Sequence, residues 1–226
     1  YYQGEAAGSL GDLGCYSFHG SKNYVSGEGG ALVINSKSKD LLQKAEIIRE
    51  KGTNRSLFLR GEIDKYNWVG EGSSYLPSDI LMAFLYAQLQ KMDWITEQRK
   101  KIFNYYNQQL QEFLTDDFLE LIPSIPADRK SNYHIYYLKF KTQKIRDYVL
   151  NNLRKKGIKA VFHFQPLHSS PMGKRLGYQK NDLKLTEQIA ATMLRLPIYP
   201  DLKKEKLEYV VKNLKEIFKD IKQAGG

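Results

Sequence analysis

Lys22 is the residue whose type and setting best suit covalent chemistry. It stands on the polar turn His19-Gly20-Ser21-Lys22-Asn23, five residues after Ser17 and five before the run Gly27-Glu28-Gly29-Gly30. A lysine that condenses with a carbonyl must attack as the neutral amine. It therefore needs a partly dry site, or neighbouring cations, to depress its pKa. A tight turn between two buried strands would hold the amine rigidly and keep it partly dry. The Ser17 hydroxyl can donate to a phosphate, and the glycines let backbone approach a cofactor closely. Spacing alone favours a plainer reading, an exposed loop lysine beside a buried serine.

Other residues could meet a charged ligand. Arg49, Lys51, Arg55, Arg60 and Lys65 give a basic loop that suits diphosphate oxygens through charge-assisted hydrogen bonds, or is merely solvated. Tyr66 and Trp68 could line a sugar pocket or stack on a base, with core packing as the alternative. His163 and His168 flank Pro166 and suit a substrate edge or a hydrogen-bonded structural role. His19 lies close enough to Lys22 to join the same site, whereas His134, in an expected strand, packs. No Cys, His or carboxylate cluster has metal-ligand spacing. No glycine pattern matches a dinucleotide fingerprint or an NTPase phosphate loop.

The elements that must position these residues follow from hydrophobic periodicity. Residues 13–18 and 31–34 read as short buried strands around the Lys22 turn, with Cys15 in the core. Residues 38–51 suit a helix and residues 52–77 a loop. Ser78 and Asp79 offer caps for one long helix running to about Leu114, linking two domains. Beyond it, residues 119–122, 133–140 and 158–164 read as strands, and 143–156, 185–194 and 202–221 as helices. The last of these carries Leu207, Val210, Val211, Leu214, Ile217, Phe218 and Ile221 at helical spacing. These elements make an α/β chain with domains at 1–115 and 116–226, the second a small α+β unit.

Bulk properties narrow the class. The chain has 226 residues, 42% of them hydrophobic, which is enough for a real core. No stretch approaches the roughly 20 apolar residues of a membrane helix. A single cysteine excludes a disulfide framework and fits a reducing, cytoplasmic setting. The net charge of +10 invites a nucleic-acid reading. The terminal lysines, however, alternate with Asp201, Glu205, Glu208, Glu216 and Asp220, as on a solvated helix face. A basic balance also suits a phosphate-bearing substrate.

Ser17 to Asn23, followed by Gly27 to Ala31, resembles the lysine segment of the DegT/DnrJ/EryC1/StrS sugar aminotransferases. These are fold-type-I enzymes that depend on pyridoxal 5'-phosphate. The resemblance continues through Ile47-Ile48-Arg49-Glu50-Lys51-Gly52-Thr53-Asn54-Arg55, Asp64 to Trp68, Gly72 to Tyr75, Ala160 to His168, and Leu194-Arg195-Leu196-Pro197. Several stretches are close to the branch that aminates TDP-4-keto-6-deoxy-D-glucose in enterobacterial common antigen synthesis.

The resemblance implies that Lys22 carries the cofactor and moves a proton between cofactor and substrate carbons. It implies that Ser17 holds the cofactor phosphate, and that Ser74 replaces an asparagine that reaches the phosphate in a neighbouring subunit. Leu76 stands at that motif's arginine position, and Gly20 and Ser21 replace the commoner Pro and Thr. Arg55 becomes the first choice for the nucleotide. The chain then resembles the C-terminal part of the large domain plus the small domain. The aspartate that pairs with the pyridine nitrogen is expected upstream of Tyr1, so the chain alone is expected to be inactive. The implied reaction takes an amino group from L-glutamate to C4 of a nucleotide-linked 4-keto-6-deoxy sugar, in a homodimer with shared sites. Another nucleotide-sugar aminotransferase, a sugar dehydratase (which Lys22 in place of histidine argues against) and a non-catalytic binder are the rivals.

Overall fold

The computed structural model describes residues 1–224, and they divide into two compact units. The first comprises Tyr1–Asp93 with Ala127–Lys130, and the second Trp94–Pro126 with Ser131 onward.

In the first unit, β1 (Leu13–Ser17) pairs antiparallel with β2 (Gly30–Ile34) in the register Leu13↔Ile34 to Ser17↔Gly30. The two strands form where expected, but they are not buried. Leu13, Tyr16 and Leu32 are exposed, as is Cys15. The expected core role for Cys15 is thereby corrected. Apolar residues favour a strand locally, but burial requires a covering layer, and β1 and β2 form a sheet of two strands. Helix α1 (Lys39–Arg49) is capped by Ser38, whose hydroxyl accepts from Leu41 N–H at 3.3 Å. The expected loop 52–77 contains a short helix, α2 (Arg55–Leu59). Residues 127–130 join this unit through hydrogen bonds from Gln3 N–H to the Asp128 carbonyl (2.7 Å) and from Lys130 N–H to the Tyr1 carbonyl (3.0 Å).

The expected long helix is two helices. The first, α3 (Asp79–Gln90), is capped by Ser78 as anticipated, and α4 (Met92–Leu110) follows a break at Lys91 (φ −103°, ψ 12°). Neither Pro nor Gly marks the break. The burial pattern changes across it: α3 buries Leu85, whereas α4 buries a stripe of Ile95, Arg99, Ile102, Phe103, Tyr106 and Leu110. That stripe packs within the second unit.

The second unit is a four-stranded antiparallel sheet of order β3-β4-β6-β5. Its strands are β3 (Leu119–Leu121), β4 (Tyr136–Phe140), β5 (Val161–Phe162) and β6 (Met193–Leu196). Helices α5 (Gln143–Lys155), α6 (Pro171–Arg175), α7 (Lys184–Thr192) and α8 (Lys204–Gln223) complete it. The α8 stripe is buried as its spacing predicts, and Phe218 packs against the rings of Phe113, Phe118 and Phe140. Gly157, at φ +72°, ends the α5 region. Three expectations shift. The strand at 133–140 begins only at Tyr136, because Tyr133 takes φ +53°, and His134 precedes the strand. The strand at 158–164 shrinks to two residues. Leu194 opens no helix end but lies in β6, which pairs with both β4 and β5.

Candidate active site

The Lys22 turn is built by backbone pairing beyond the ends of β1 and β2. Phe18 N–H donates to Gly29 (2.9 Å), Ser26 N–H to Phe18 (2.8 Å), Gly20 N–H to Gly27 (2.8 Å) and Lys22 N–H to His19 (2.9 Å). Asn23 and Ser26 are buried and root the turn, and the Ser26 hydroxyl donates to the Glu28 carbonyl at 2.7 Å. Gly27 and Gly29 hold φ +93° and +135°, conformations that suit glycine. Leu81 and Met82, near the start of α3, lie within 4 Å of where side chains at Gly27 and Gly29 would begin.

On this base Lys22 is exposed. Lys139, Lys141, Lys204, Lys215 and Lys222 are held by carboxylates. Among the described residues no carboxylate pairs with Lys22. Ser17 is also exposed, at the end of β1, with its oxygen 3.4 Å from His19 N–H. His19 faces Ser21 (Nδ1 to Oγ, 2.9 Å) and Glu28 (3.7 Å). The amine, the hydroxyl and the glycine backbone fit a phosphate-bearing aldehyde in kind. The expected dryness around the amine is not supplied by the described residues.

The second feature of this unit is a strap, residues 50–75, folded back on itself. Glu50 and Ser74 form an antiparallel bridge, as do Thr53 and Trp68. Gly52 accepts from Val69 N–H (2.8 Å) and Gly70 N–H (3.0 Å). A Cβ at Gly52 would fall 2.0 Å from the Gly70 oxygen, and one at Gly72 would fall 2.2 Å from Gly52 N, so the strap closes glycine to glycine. Arg55 Nη1 donates to Glu50 Oε2 at 3.2 Å. Arg60 is engaged by both Glu46 and Glu62. Tyr66 rests on Phe58 at 5.7 Å between ring centres. Trp68 is 79% exposed, which sets aside core packing for it. Ser74 and Lys65 are exposed. Glu50, 5% exposed, is the residue that sequence reasoning passed over. Its one signal is a lone acid between Arg49 and Lys51 with Arg55 following.

In the second unit, His168 is buried, with Nε2 3.2 Å from Glu187 Oε1 and 3.4 Å from the Lys180 carbonyl. It joins the 167–169 turn to α7 and to the segment before it. That placement favours the structural role over a substrate edge. His163 follows β5, and its Nδ1 is buried without a hydrogen-bond partner. Burial, then the charge of Arg195, lowers its pKa below 6.5. Among the described residues no group of three or more His, Cys, Asp or Glu could hold a metal, and no helix is long and apolar enough to cross a membrane.

The chain is 30% identical over 210 residues to a dTDP-4-amino-4,6-dideoxy-D-glucose transaminase of Shigella dysenteriae, covering 92% of this chain and 53% of that protein. It is 25% identical to the GDP-perosamine synthase of Escherichia coli O157:H7, covering 97% and 55%. Among solved structures, the aminotransferase TlmJ of Streptoalloteichus hindustanus superposes with TM-score 0.83 at 24% identity, covering 98% of this chain and 56% of that one. The Streptococcus pneumoniae protein Spr1654, in a form described as its PLP form, gives TM-score 0.84 at 20% identity over 97% and 55%. The chain thus spans about half the length of the curated relatives it matches. A sequence model of the DegT/DnrJ/EryC1/StrS aminotransferase family matches residues 1–215, and the chain belongs to that family.

Proposed function

We propose that this chain forms part of a cytoplasmic, homodimeric aminotransferase that uses pyridoxal 5'-phosphate. It moves an amino group from L-glutamate to C4 of dTDP-4-dehydro-6-deoxy-D-glucose, giving dTDP-4-amino-4,6-dideoxy-D-galactose. One observation carries the reading. Lys22 stands on a hairpin turn with no carboxylate partner among the described residues, and a glycine-rich return follows it, within a match to an aminotransferase family. The names of the relatives, which include dTDP- and GDP-sugar enzymes, support a nucleotide-linked substrate.

Each residue has a part in this reading. Lys22 Nζ holds the cofactor and moves a proton at the reacting carbon. The Ser17 and Ser74 hydroxyls donate to phosphate oxygens, Ser74 across a subunit boundary. Arg55 meets the diphosphate. Trp68 and Tyr66 offer aromatic faces to the base or sugar. His163, neutral at pH 7 by its lowered pKa, can accept a hydrogen bond at the substrate edge. His168, already engaged by Glu187, keeps a structural role. When bound, the cofactor supplies an electron sink. The first unit is the remainder of the large cofactor-binding domain.

The test uses protein expressed from the intact gene. Adding pyridoxal phosphate should produce a visible absorbance band that borohydride removes, and Lys22→Ala should lack it. Identical spectra for the two proteins would sink the proposal. Competition among TDP-, UDP- and GDP-linked keto sugars then identifies the nucleotide.

A further inference from the structure

We propose that Glu50 is a positioning residue that ties the nucleotide contact, Arg55, to the cofactor-phosphate contact, Ser74; this rests on the nucleotide-sugar reading above. Glu50 follows the last turn of α1, and its side chain is 5% exposed. A carboxylate taken out of water is costly unless a cation answers it. Two do: Arg55 Nη1 at 3.2 Å and Arg49 Nη2 at 3.8 Å. Their side chains remain 44% and 51% exposed. The buried acid thus pins one edge of the Arg55 fork while the rest of it reaches solvent.

Among the described residues no other group hydrogen-bonds the Arg55 guanidinium. A planar fork fixed at one nitrogen keeps donors for a second anion. Arg60 differs, because Glu46 and Glu62 engage both its Nε and its Nη1.

The main chain of the same residue does the second half of the work. Glu50 bridges Ser74. The flanking bonds run from Lys51 N–H to the Ser73 carbonyl (3.0 Å) and from Tyr75 N–H to the Arg49 carbonyl (3.2 Å). One buried residue therefore fixes Arg55 through its side chain and Ser74 through its backbone. Trp68, bridged to Thr53 between them in sequence, presents an exposed indole on the same strap. The ligand class that this arrangement takes is a nucleoside diphosphate, with phosphates at Arg55 and base at Trp68.

The test is calorimetric titration of protein from the intact gene with thymidine, uridine and guanosine diphosphates, continuing with the tightest. Glu50→Asp keeps the charge but withdraws the carboxylate by one methylene from a contact already at 3.2 Å. Binding must then immobilise Arg55 itself, so Kd should weaken about 2- to 10-fold. The KM for the nucleotide sugar should rise by the same factor. In an Arg55→Ala background the Glu50→Asp change should shift Kd by less than about twofold, because only residues that act through each other are non-additive.

An unchanged Kd for Glu50→Asp, or an equal loss in both backgrounds, overturns the proposal, as does a wild-type protein that binds none of the three diphosphates. If Glu50→Asp does not fold, Glu50→Gln, which replaces the charge-assisted contact to Arg55 Nη1 with a neutral one, should show a loss in the same direction. Wild-type affinity for Glu50→Gln also overturns it. These titrations do not depend on the visible band at Lys22, so the two readings fail separately.

Discussion

Gly52→Ala should disrupt the strap far more than Gly61→Ala, although both glycines have nearly the same backbone conformation. Their φ values are +79° and +76°. A left-handed residue with a Cβ costs about 1–2 kcal/mol, offset by about 0.4–1 kcal/mol from a less flexible unfolded chain. That leaves a net loss of about 1 kcal/mol for Gly61→Ala, whose new methyl meets nothing within 4 Å. At Gly52 the methyl would start 2.0 Å from the Gly70 oxygen and 2.9 Å from the Trp68 indole nitrogen. Backbone cannot rotate aside as a side chain can, so the 69–70 segment must lift. Lifting it breaks the bonds from Val69 and Gly70 N–H to the Gly52 carbonyl, at about 0.5–1.5 kcal/mol each. The total for Gly52→Ala is then about 2–4 kcal/mol. The assay is urea unfolding followed by fluorescence in a Trp94→Phe background, which leaves Trp68 as the one tryptophan. Equal losses for the two variants would refute the close-approach argument. Trp68 emission unchanged in native Gly52→Ala would refute the placement of the indole.

Other outcomes follow from single sites. His163 has a folded pKa below 6.5, so the unfolded chain binds the proton more readily. Its contribution to stability is lost as pH falls through 6.5 and levels off below the folded pKa. His163→Gln should flatten urea stability between about pH 7 and about pH 5, and an unaltered slope counts against the buried ring. Phe218→Ala removes a ring packed on three others and should cost about 3–5 kcal/mol; a loss under about 1 kcal/mol contradicts that packing. Cys15 should react with an aromatic disulfide reagent in the native 226-residue chain at the rate of a free thiol. Labelling only after denaturation would restore the core reading.

Elements whose own residues encode both partner and period were legible in the sequence. The α8 stripe, the Ser78 cap and the glycine after α5 are local signals, and they stand where they were expected. The break at Lys91 was not legible, because Gln90 and Lys91 are both good helix residues and the change lies in what each helix packs on. β6 was missed because Met193-Leu194-Arg195-Leu196 extends the apolar pattern of α7 without a breaker. Its strand character comes from two neighbours, β4 and β5, distant in sequence. Burial of β1 and β2 was over-read for a related reason. An apolar strand states what it would bury, not whether a covering layer is present.

The same distinction separates Lys22 from Glu50. Lys22 could be singled out because Ser17 to Asn23 with Gly27 to Ala31 resembles a family's lysine segment; spacing alone favours an exposed loop lysine. The structure adds the absence of a carboxylate partner among the described residues and removes the expected shelter. Glu50 looked like one more surface acid among basic neighbours. It acquires meaning only when the strap closes, when three glycines let two backbone segments meet and leave its carboxylate 5% exposed against Arg55. Closure of the strap and orientation of Arg55 are therefore one event. If the strap were opened at Gly52, the buried acid would be rehydrated, and its hold on the arginine would fall to that of a surface ion pair, about 0–1 kcal/mol. A Gly52→Ala protein should thus lose nucleoside-diphosphate affinity by at least the factor seen for Glu50→Asp, because it displaces Trp68 as well.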